Sequence, residues 1–350
     1  MVTGPATYWG GQVVRWLVAD PDVELIVGLD IKTPDVRAPD IRAPDIKGPD
    51  VRGPDGTGPN VLVDRTEYVR TANSYAALAS VVQRTQVDTI IHASLLVNST
   101  ATSGRALHEV NVIGTLNLLA AATAATSVRQ LVVKSSTLVY GSALRDPAWP
   151  REDLARSSPA RNDLERSLVE VERNLAEFAH DNPATLVSVL RLGEVLGPDV
   201  DTAISRCLGR GIAPCIAGFD PLVQFVEQQD ALRALELVIG RQVPGTYNVA
   251  GDGRLPWSEV ASMCRARLVP LPPLLTGSVA AVLRRTGLLD VPPELLTWLR
   301  YGGGVDNQAL KRAGFAYRFT SAGAVERFAQ ASQVASQSWR PASHSSDVTA

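Results

Sequence analysis

The chain has 350 residues, a formal net charge of -2, 45% apolar residues and 20% charged residues. That suffices for one large α/β domain or two modest ones with a full core. Near-neutral charge excludes a nucleic-acid groove, and Cys207, Cys215 and Cys264 have neither the spacing of a zinc ribbon nor the even number of a disulfide framework, so no metal site is expected.

The first residues, MVTGPATYWGG, carry no basic segment and no apolar run, so no signal peptide is predicted. Residues 9–19 read as a helix with Val13, Val14, Trp16 and Leu17 on its apolar face, and residues 23–30 as a buried strand ending in Asp30. From Thr33 the chain runs TPDVR, APDIR, APDIK, GPDVR, GPDGT, with proline at 34, 39, 44, 49, 54 and 59. A proline every fifth residue forbids a helix and interrupts a strand ladder. Residues 33–60 are therefore expected to be a low-complexity surface loop.

Alternation then resumes. Strands are predicted at 66–71, 87–94, 128–136 and 185–192, with helices at 74–85, 105–126 and 163–180 between them. This spacing predicts a doubly wound parallel sheet of the Rossmann type over 1–190. Beyond it the pattern loosens into short helices, turns and a strand near 246–249, which predicts that 191–330 is mainly a smaller, irregular C-terminal substrate lobe. Residues 331–350 are rich in Ser, Ala and Gln and read as a disordered tail. The most apolar stretch, 268–283, is broken by Pro270, Pro272 and Pro273, so no membrane partner is expected and a cytoplasmic location is.

In such a fold the first strand-to-helix turn cradles a pyrophosphate, because glycines let the backbone approach and the helix N-terminus supplies positive potential. Gly4 and Gly10 fit a T-G-x-x-G-x-x-G frame, with Thr7 where the middle glycine belongs. Asp30 follows Gly10 by twenty residues, at a strand end. A carboxylate there accepts hydrogen bonds from a ribose diol and repels a 2′-phosphate, favouring NAD over NADP. Almost no apolar residues precede Val2, so either the central strand is stunted or the natural start lies upstream.

The segments TG…YWGG, GLDI, VDTIIHAS, EVNVIGTLNLLAAA, LVVKSSTLVYGS, VLRLGEVLGP, QFVEQQDAL and GTYNVAG together resemble the extended short-chain dehydrogenase/reductases. Within them the chain is similar to the NAD-dependent epimerase/dehydratase branch, on the UDP-glucose 4-epimerase side, over about residues 2–330. The resemblance implies NAD as cofactor and a catalytic set of Ser, Tyr and Lys supported by a helix Asn. It places Ser136 and Asn111 in two of those roles and His92, in the HAS segment, beside the nicotinamide. The expected Tyr-x-x-x-Lys should open the 163–180 helix. No tyrosine lies between Tyr140 and Tyr247, however, and no lysine between Lys134 and Lys311. The Tyr position holds Arg161, Asn162 or Leu164, and the Lys position Glu165, Arg166 or Leu168.

The substrate side departs from the family as well. Glu194 stands where a substrate-binding Asn often follows the strand Arg, here Arg191; Leu222 and Val223 stand where an Arg often lies; and Glu227 takes a place often held by His. Ser136, Tyr140, Glu194 and Glu227 are the polar groups expected to reach the cleft, where a carboxylate can serve as acid or base without redox chemistry. Asp230 is expected to cap the following helix. The helix 105–126 is apolar on more than one side (Val110, Val112, Ile113, Leu116, Leu118, Leu119), which with 163–180 fits a homodimer contact. Three functions are compatible with these residues: a NAD-linked epimerase or dehydratase, whose ordinary redox epimerisation the missing Tyr/Lys pair opposes, a repurposed scaffold for non-redox isomerisation, dehydration or cyclisation in secondary metabolism, and a non-catalytic NAD-binding or regulatory protein. A small molecule is the expected partner in the first two.

Overall fold

The computed structural model describes residues 1–30, 61–63, 65–71, 74–97, 103–273 and 292–338. The predicted repeat loop and residues 339–350 of the predicted tail lie outside them. Eight strands form one sheet: β1 (Val2–Thr3), β2 (Ile26–Asp30), β3 (Val61–Val63), β4 (Thr66–Arg70), β5 (Thr89–His92), β6 (Gln130–Ser136), β7 (Leu186–Leu192) and, far along the chain, β12 (Gly245–Val249). Their order is β12-β7-β6-β5-β1-β2-β4-β3. Every neighbouring pair is parallel except β3 and β4, which form an antiparallel edge. The reversal of strand order falls between β1 and β5, where a doubly wound sheet opens its crevice.

Both faces of the sheet are covered, and side-chain alternation sorts the core into two layers. Val27, Leu29, Ile90, Leu131 and Val133 pack under α2 (Tyr75–Thr85), α4 (Gly114–Thr123) and α5 (Asp163–Asp181). Their chain neighbours Ile26, Ile91 and Val132 pack on the opposite face, under α1 (Tyr8–Ala19) and α7 (Gln228–Arg241). Helix α3 (Gly104–Leu107) runs into α4 through a π-helical turn at His108–Ile113. Asn162 starts α5 by accepting from the Glu165 N–H at 2.8 Å and donating to the Glu165 carboxylate at 2.9 Å, a reciprocal cap that fixes the helix start.

The remaining strands build the smaller lobe: β8 (Glu194–Leu196) pairs with β11 (Phe225–Glu227), β9 (Ile212–Ile216) with β14 (Arg267–Leu271), and β10 (Leu222–Val223) with β13 (Leu255–Pro256). Between them run α6 (Ala203–Gly209), α8 (Trp257–Met263), α9 (Pro293–Tyr301), α10 (Gln308–Arg312) and α11 (Ser321–Ser338). Their core is Phe225, Trp257, Leu299, Val325 and Phe328 with their neighbours.

One sequence expectation is refined and one corrected. The part of 191–330 that does not belong to the small lobe is α7 and β12, which return to the large domain, because Ala231, Ala234, Leu235 and Val238 form a stripe that packs on the sheet and β12 pairs with β7. The tail does not begin at 331, since α11 continues to Ser338. Its first turns are anchored by buried Ala324, Val325, Phe328 and Ala329, and propagation from an anchored helix adds one hydrogen bond per residue fixed.

Candidate active-site cleft

The turn between β1 and α1 is drawn tight. Gly4 has φ +72, in the left-handed region, and a Cβ there would come 2.9 Å from Ser94 Cα. A Cβ on Gly10 would overlap the Gly4 carbonyl oxygen. Thr7 caps α1: its hydroxyl donates to the Gly4 carbonyl at 2.7 Å and accepts from the Gly10 N–H at 3.1 Å. The Ala6 N–H donates to Asp30 Oδ2 at 3.0 Å, so the carboxylate at the end of β2 is held against the turn. Gly4, Thr7, Gly10 and Asp30 are thus brought together as the spacing predicts, and the threonine does by side-chain capping what keeps the turn closed without a third glycine. The turn fits a dinucleotide, because glycine at 4 and 10 lets the loop close against Ser94 and its own backbone, the tight strand-to-helix turn that such a site requires. We expect Gly10→Ala to cost about 1–3 kcal/mol through overpacking against backbone; equilibrium urea unfolding checks this, and an unchanged midpoint would show that the turn yields.

His92 is corrected from a cofactor contact to a core residue. Its Nδ1 lies 2.8 Å from the Thr3 hydroxyl and its Nε2 3.0 Å from the Thr115 hydroxyl, so both ring nitrogens are engaged within the protein. Burial, and secondarily the charge of Lys134, push its pKa down to about 4. The threonines lie on strands and helices that flank β5, which is why the ring turns inward.

Asn111 sits fully buried in the π-helical turn. Its Oδ1 accepts from Leu96 N–H at 2.8 Å, and its Nδ2 donates to Leu96 O at 2.9 Å and to the Ser167 hydroxyl at 3.1 Å. It ties the segment after β5 to α5. Ser136 ends β6 and caps the short turn Thr137–Tyr140 by accepting from Leu138 N–H at 3.2 Å. Four residues apart on α5, Leu164 and Leu168 are fully buried in an apolar cluster with Leu107, Val139 and Tyr140.

Tyr140 belongs to a polar network at the ends of β6 and β7. Its hydroxyl donates to Asn248 Oδ1 at 2.7 Å and accepts from Arg191 Nη1 at 2.5 Å. Arg191 in turn grips Glu172 through Nε at 2.8 Å and Nη2 at 2.5 Å, and Ser135 donates to the same carboxylate at 2.5 Å. Burial pushes the Tyr140 phenol up, against the pull of Arg191, which makes it a poor base at neutral pH.

Glu227 is a second correction. It is fully buried and caps α7, accepting from the Gln229 and Asp230 N–H groups at 2.6 and 3.3 Å, with Arg327 3.0 Å away. Its carboxylate serves the helix N-terminus instead of a cleft. Asp230 is accordingly not the cap. It lies in the first turn of α7, where it accepts from the Arg318 and Phe319 N–H groups at 2.8 and 2.9 Å.

Glu194 does face the cleft. A cavity at the carboxyl ends of β6 and β7 is lined by Glu194, Ser136, Lys134, Trp9, Glu294 and Trp298, among others. A wider pocket beside it is lined by Glu194, Tyr140, Gln224, Arg254 and Trp298. Burial pushes the Glu194 carboxyl up to about 7, opposed by a hydrogen bond from Thr202 and reinforced by Glu294. Its Oε1 is buried without a hydrogen-bond partner among the described residues. Lys134 is the residue that sequence reasoning missed. A lysine directly after the apolar run LVV of a central strand was the available signal, since lysine is almost never fully buried unless paired.

Comparison with known proteins fits this geometry. The family model for the NAD dependent epimerase/dehydratase family matches residues 1–250. The chain belongs to that family. Uncharacterized proteins of Mycobacterium bovis and Mycobacterium tuberculosis are 28% identical to it over 330 residues, covering 94% of this chain and 82% of theirs. Among solved structures, a UDP-glucuronic acid 4-epimerase from Bacillus cereus in complex with NAD superposes with TM-score 0.68 at 15% identity, over 95% of this chain and 98% of that one. A dTDP-glucose 4,6-dehydratase from Streptomyces venezuelae with NAD bound gives TM-score 0.66 at 20% identity, over 97% and 98%. The family's fold is therefore carried through the whole described chain, down to the irregular lobe.

Proposed function

We propose that this family member binds NAD but does not run the Tyr/Lys redox epimerisation, and that its cleft carries out non-redox acid–base chemistry, an isomerisation or dehydration, on a small molecule. The observation that carries this reading is the pair Leu164 and Leu168. They stand four residues apart at the start of α5, Leu164 one turn before and Leu168 directly after the Ser167 that Asn111 holds, and both are sealed in the core. A hydroxyl oxidation needs a phenolate and a neighbouring ammonium there, and two leucines supply neither.

Gly4, Thr7, Gly10 and the first turn of α1 would hold the pyrophosphate of NAD, with Asp30 at the ribose diol. When bound, NAD supplies hydride-transfer chemistry. Glu194 is the proton-transfer group: its carboxyl titrates near neutral pH, so it can both give and take a proton. Ser136 offers a hydroxyl to the same cavity, and Asn111 holds Leu96, the neighbour of the lining residue Val97. The alternative of a non-catalytic NAD-binding or regulatory protein is disfavoured by the Glu194 oxygen Oε1, which is buried without a hydrogen-bond partner among the described residues and costs stability without a ligand. Exposed Ile113, Leu116 and Val169, on the π-helical turn, α4 and α5, support a homodimer through these helices.

Calorimetry tests the cofactor. We expect NAD to bind, NADP to bind at least ~10-fold more weakly, and Asp30→Ala to close that gap, because the carboxylate repels a 2′-phosphate. Tighter binding of NADP would refute the assignment. An assay with UDP-glucose and NAD should show no epimerisation above background, and ordinary turnover would overturn the non-redox reading.

A further inference from the structure

Lys134 is one of four lysines in the chain and is 3% exposed, in the middle of the carboxyl-terminal half of β6. It shares the α1 face of the sheet with Val132 and Ser136 by strand alternation. Its ammonium reaches over the end of β5 to the Leu95 carbonyl at 3.3 Å, a long contact. An ammonium has three donors, and among the described residues this is the single hydrogen bond Lys134 makes. Glu194 lines the same cavity, and among the described residues no ion pair joins it to Lys134. The cavity measures about 140 Å³, a size that takes a benzene-sized molecule. It therefore presents an amine and a carboxyl to one small space, both short of hydrogen-bond partners.

We infer that Lys134 is a reactive amine of this cleft, which takes a small aldehyde or ketone as a Schiff base with Glu194 as the proton donor and acceptor. The inference rests on the non-redox reading of the cleft and supplies its chemistry. The amine nitrogen attacks the carbonyl carbon, and the nitrogen's proton passes to the oxygen to give a carbinolamine. Glu194 then gives its proton to that hydroxyl, water leaves, and an iminium remains on Lys134 beside the Glu194 carboxylate. The iminium acidifies the adjacent C–H, and the carboxylate takes that proton to leave an enamine, which returns it elsewhere for isomerisation or expels a β-hydroxyl for dehydration. Water then hydrolyses the imine and restores the amine. No oxidant or reductant is consumed. Burial supports the first step by pushing the Lys134 ammonium down to about 8, because an uncharged amine is the nucleophile.

Four lysines make the test clean. The full chain, stripped of nucleotide, is treated with acetaldehyde and cyanoborohydride at pH 7.5, and the modified lysines are mapped by mass spectrometry. An amine of pKa about 8 is uncharged ~200 times more often at that pH than an ordinary lysine, so labelling of Lys134 should exceed that of Lys311 by at least ~10-fold even with restricted access. Its rate should reach half its maximum near pH 8. The Glu194→Gln variant should slow labelling of Lys134 about tenfold and leave Lys311 unchanged. The Lys134→Arg variant should lose the label while its circular dichroism stays native. Labelling of Lys134 no faster than Lys311, or a half-maximum near pH 10, would overturn the proposal, and an unchanged rate in Glu194→Gln would remove the carboxyl from it. Turnover of UDP-glucose would instead overturn the non-redox reading and leaves the labelling result independent of it.

Discussion

Arg191→Met should lower the unfolding free energy by about 3–5 kcal/mol. The guanidinium and the Glu172 carboxylate are mostly buried, with side chains 14% and 11% exposed, so removing one partner strands the other in a poorly solvated site. Tyr140 loses a donor at the same time, and its ring loses the guanidinium that stacks 4.7 Å from its centre. The double variant Arg191→Met, Glu172→Gln should recover part of the loss, because no lone charge is left behind. Urea unfolding of the four proteins gives the cycle. A single-variant loss under ~1 kcal/mol would mean that water reaches the pair and that the network contributes little. The effect extends to the cleft: Ser135 and Arg191 lie opposite each other on β6 and β7, one residue from Ser136 and three from Glu194.

Acid should destabilise the fold through His92, and the sign follows from its depressed pKa. Unfolded, the imidazole titrates near 6.5; folded, it does so near 4. Above pH 6.5 both states carry the neutral ring and His92 contributes its full stability. As pH falls from 6.5 toward 4 the unfolded chain takes up a proton that the folded chain refuses, and stability drops by about 1.4 kcal/mol per pH unit, to a total of about 3 kcal/mol. Carboxylates titrate in part of the same window, so the measurement is a difference. The stability gap between wild type and His92→Gln, taken from urea unfolding at pH 7 and pH 4, should shrink by about 3 kcal/mol. A gap independent of pH would show that the ring is protonated in place and that Thr3 and Thr115 do not hold it neutral.

The large domain was legible because its core obeys two periods at once. Ile90 and Ile91, or Leu131, Val132 and Val133, are apolar on both sides of their strands, and that run announces a sheet covered twice. The short edge strand β3 was not legible: three residues directly after a proline-rich repeat carry no period. Among site residues, the glycine turn and Asp30 were readable because backbone geometry restricts what can stand there. Glu227 and His92 were misread because a carboxylate before a helix and a histidine at a strand end look the same whether they face a ligand or their own fold; only Arg327 and the two threonines, distant in sequence, decide it. Lys134 escaped for the opposite reason. Its place directly after an apolar run was visible, but the cavity above it is built by α1, β8 and α9, which sequence cannot assemble around one residue.

Trp9, on the first turn of α1, and Trp298, on α9, both line the cavity that holds Lys134 and Glu194. The three other described indoles are placed elsewhere: Trp16 packs on the sheet from α1, Trp257 is buried in the small lobe and Trp149 lies under Arg254. Ultraviolet emission of the unlabelled chain therefore carries a contribution from this cavity, which the variants Trp9→Phe and Trp298→Phe isolate by difference. Any molecule that enters it must displace water from the two rings, and titrations can be followed by the colour and intensity of that emission before a substrate is known.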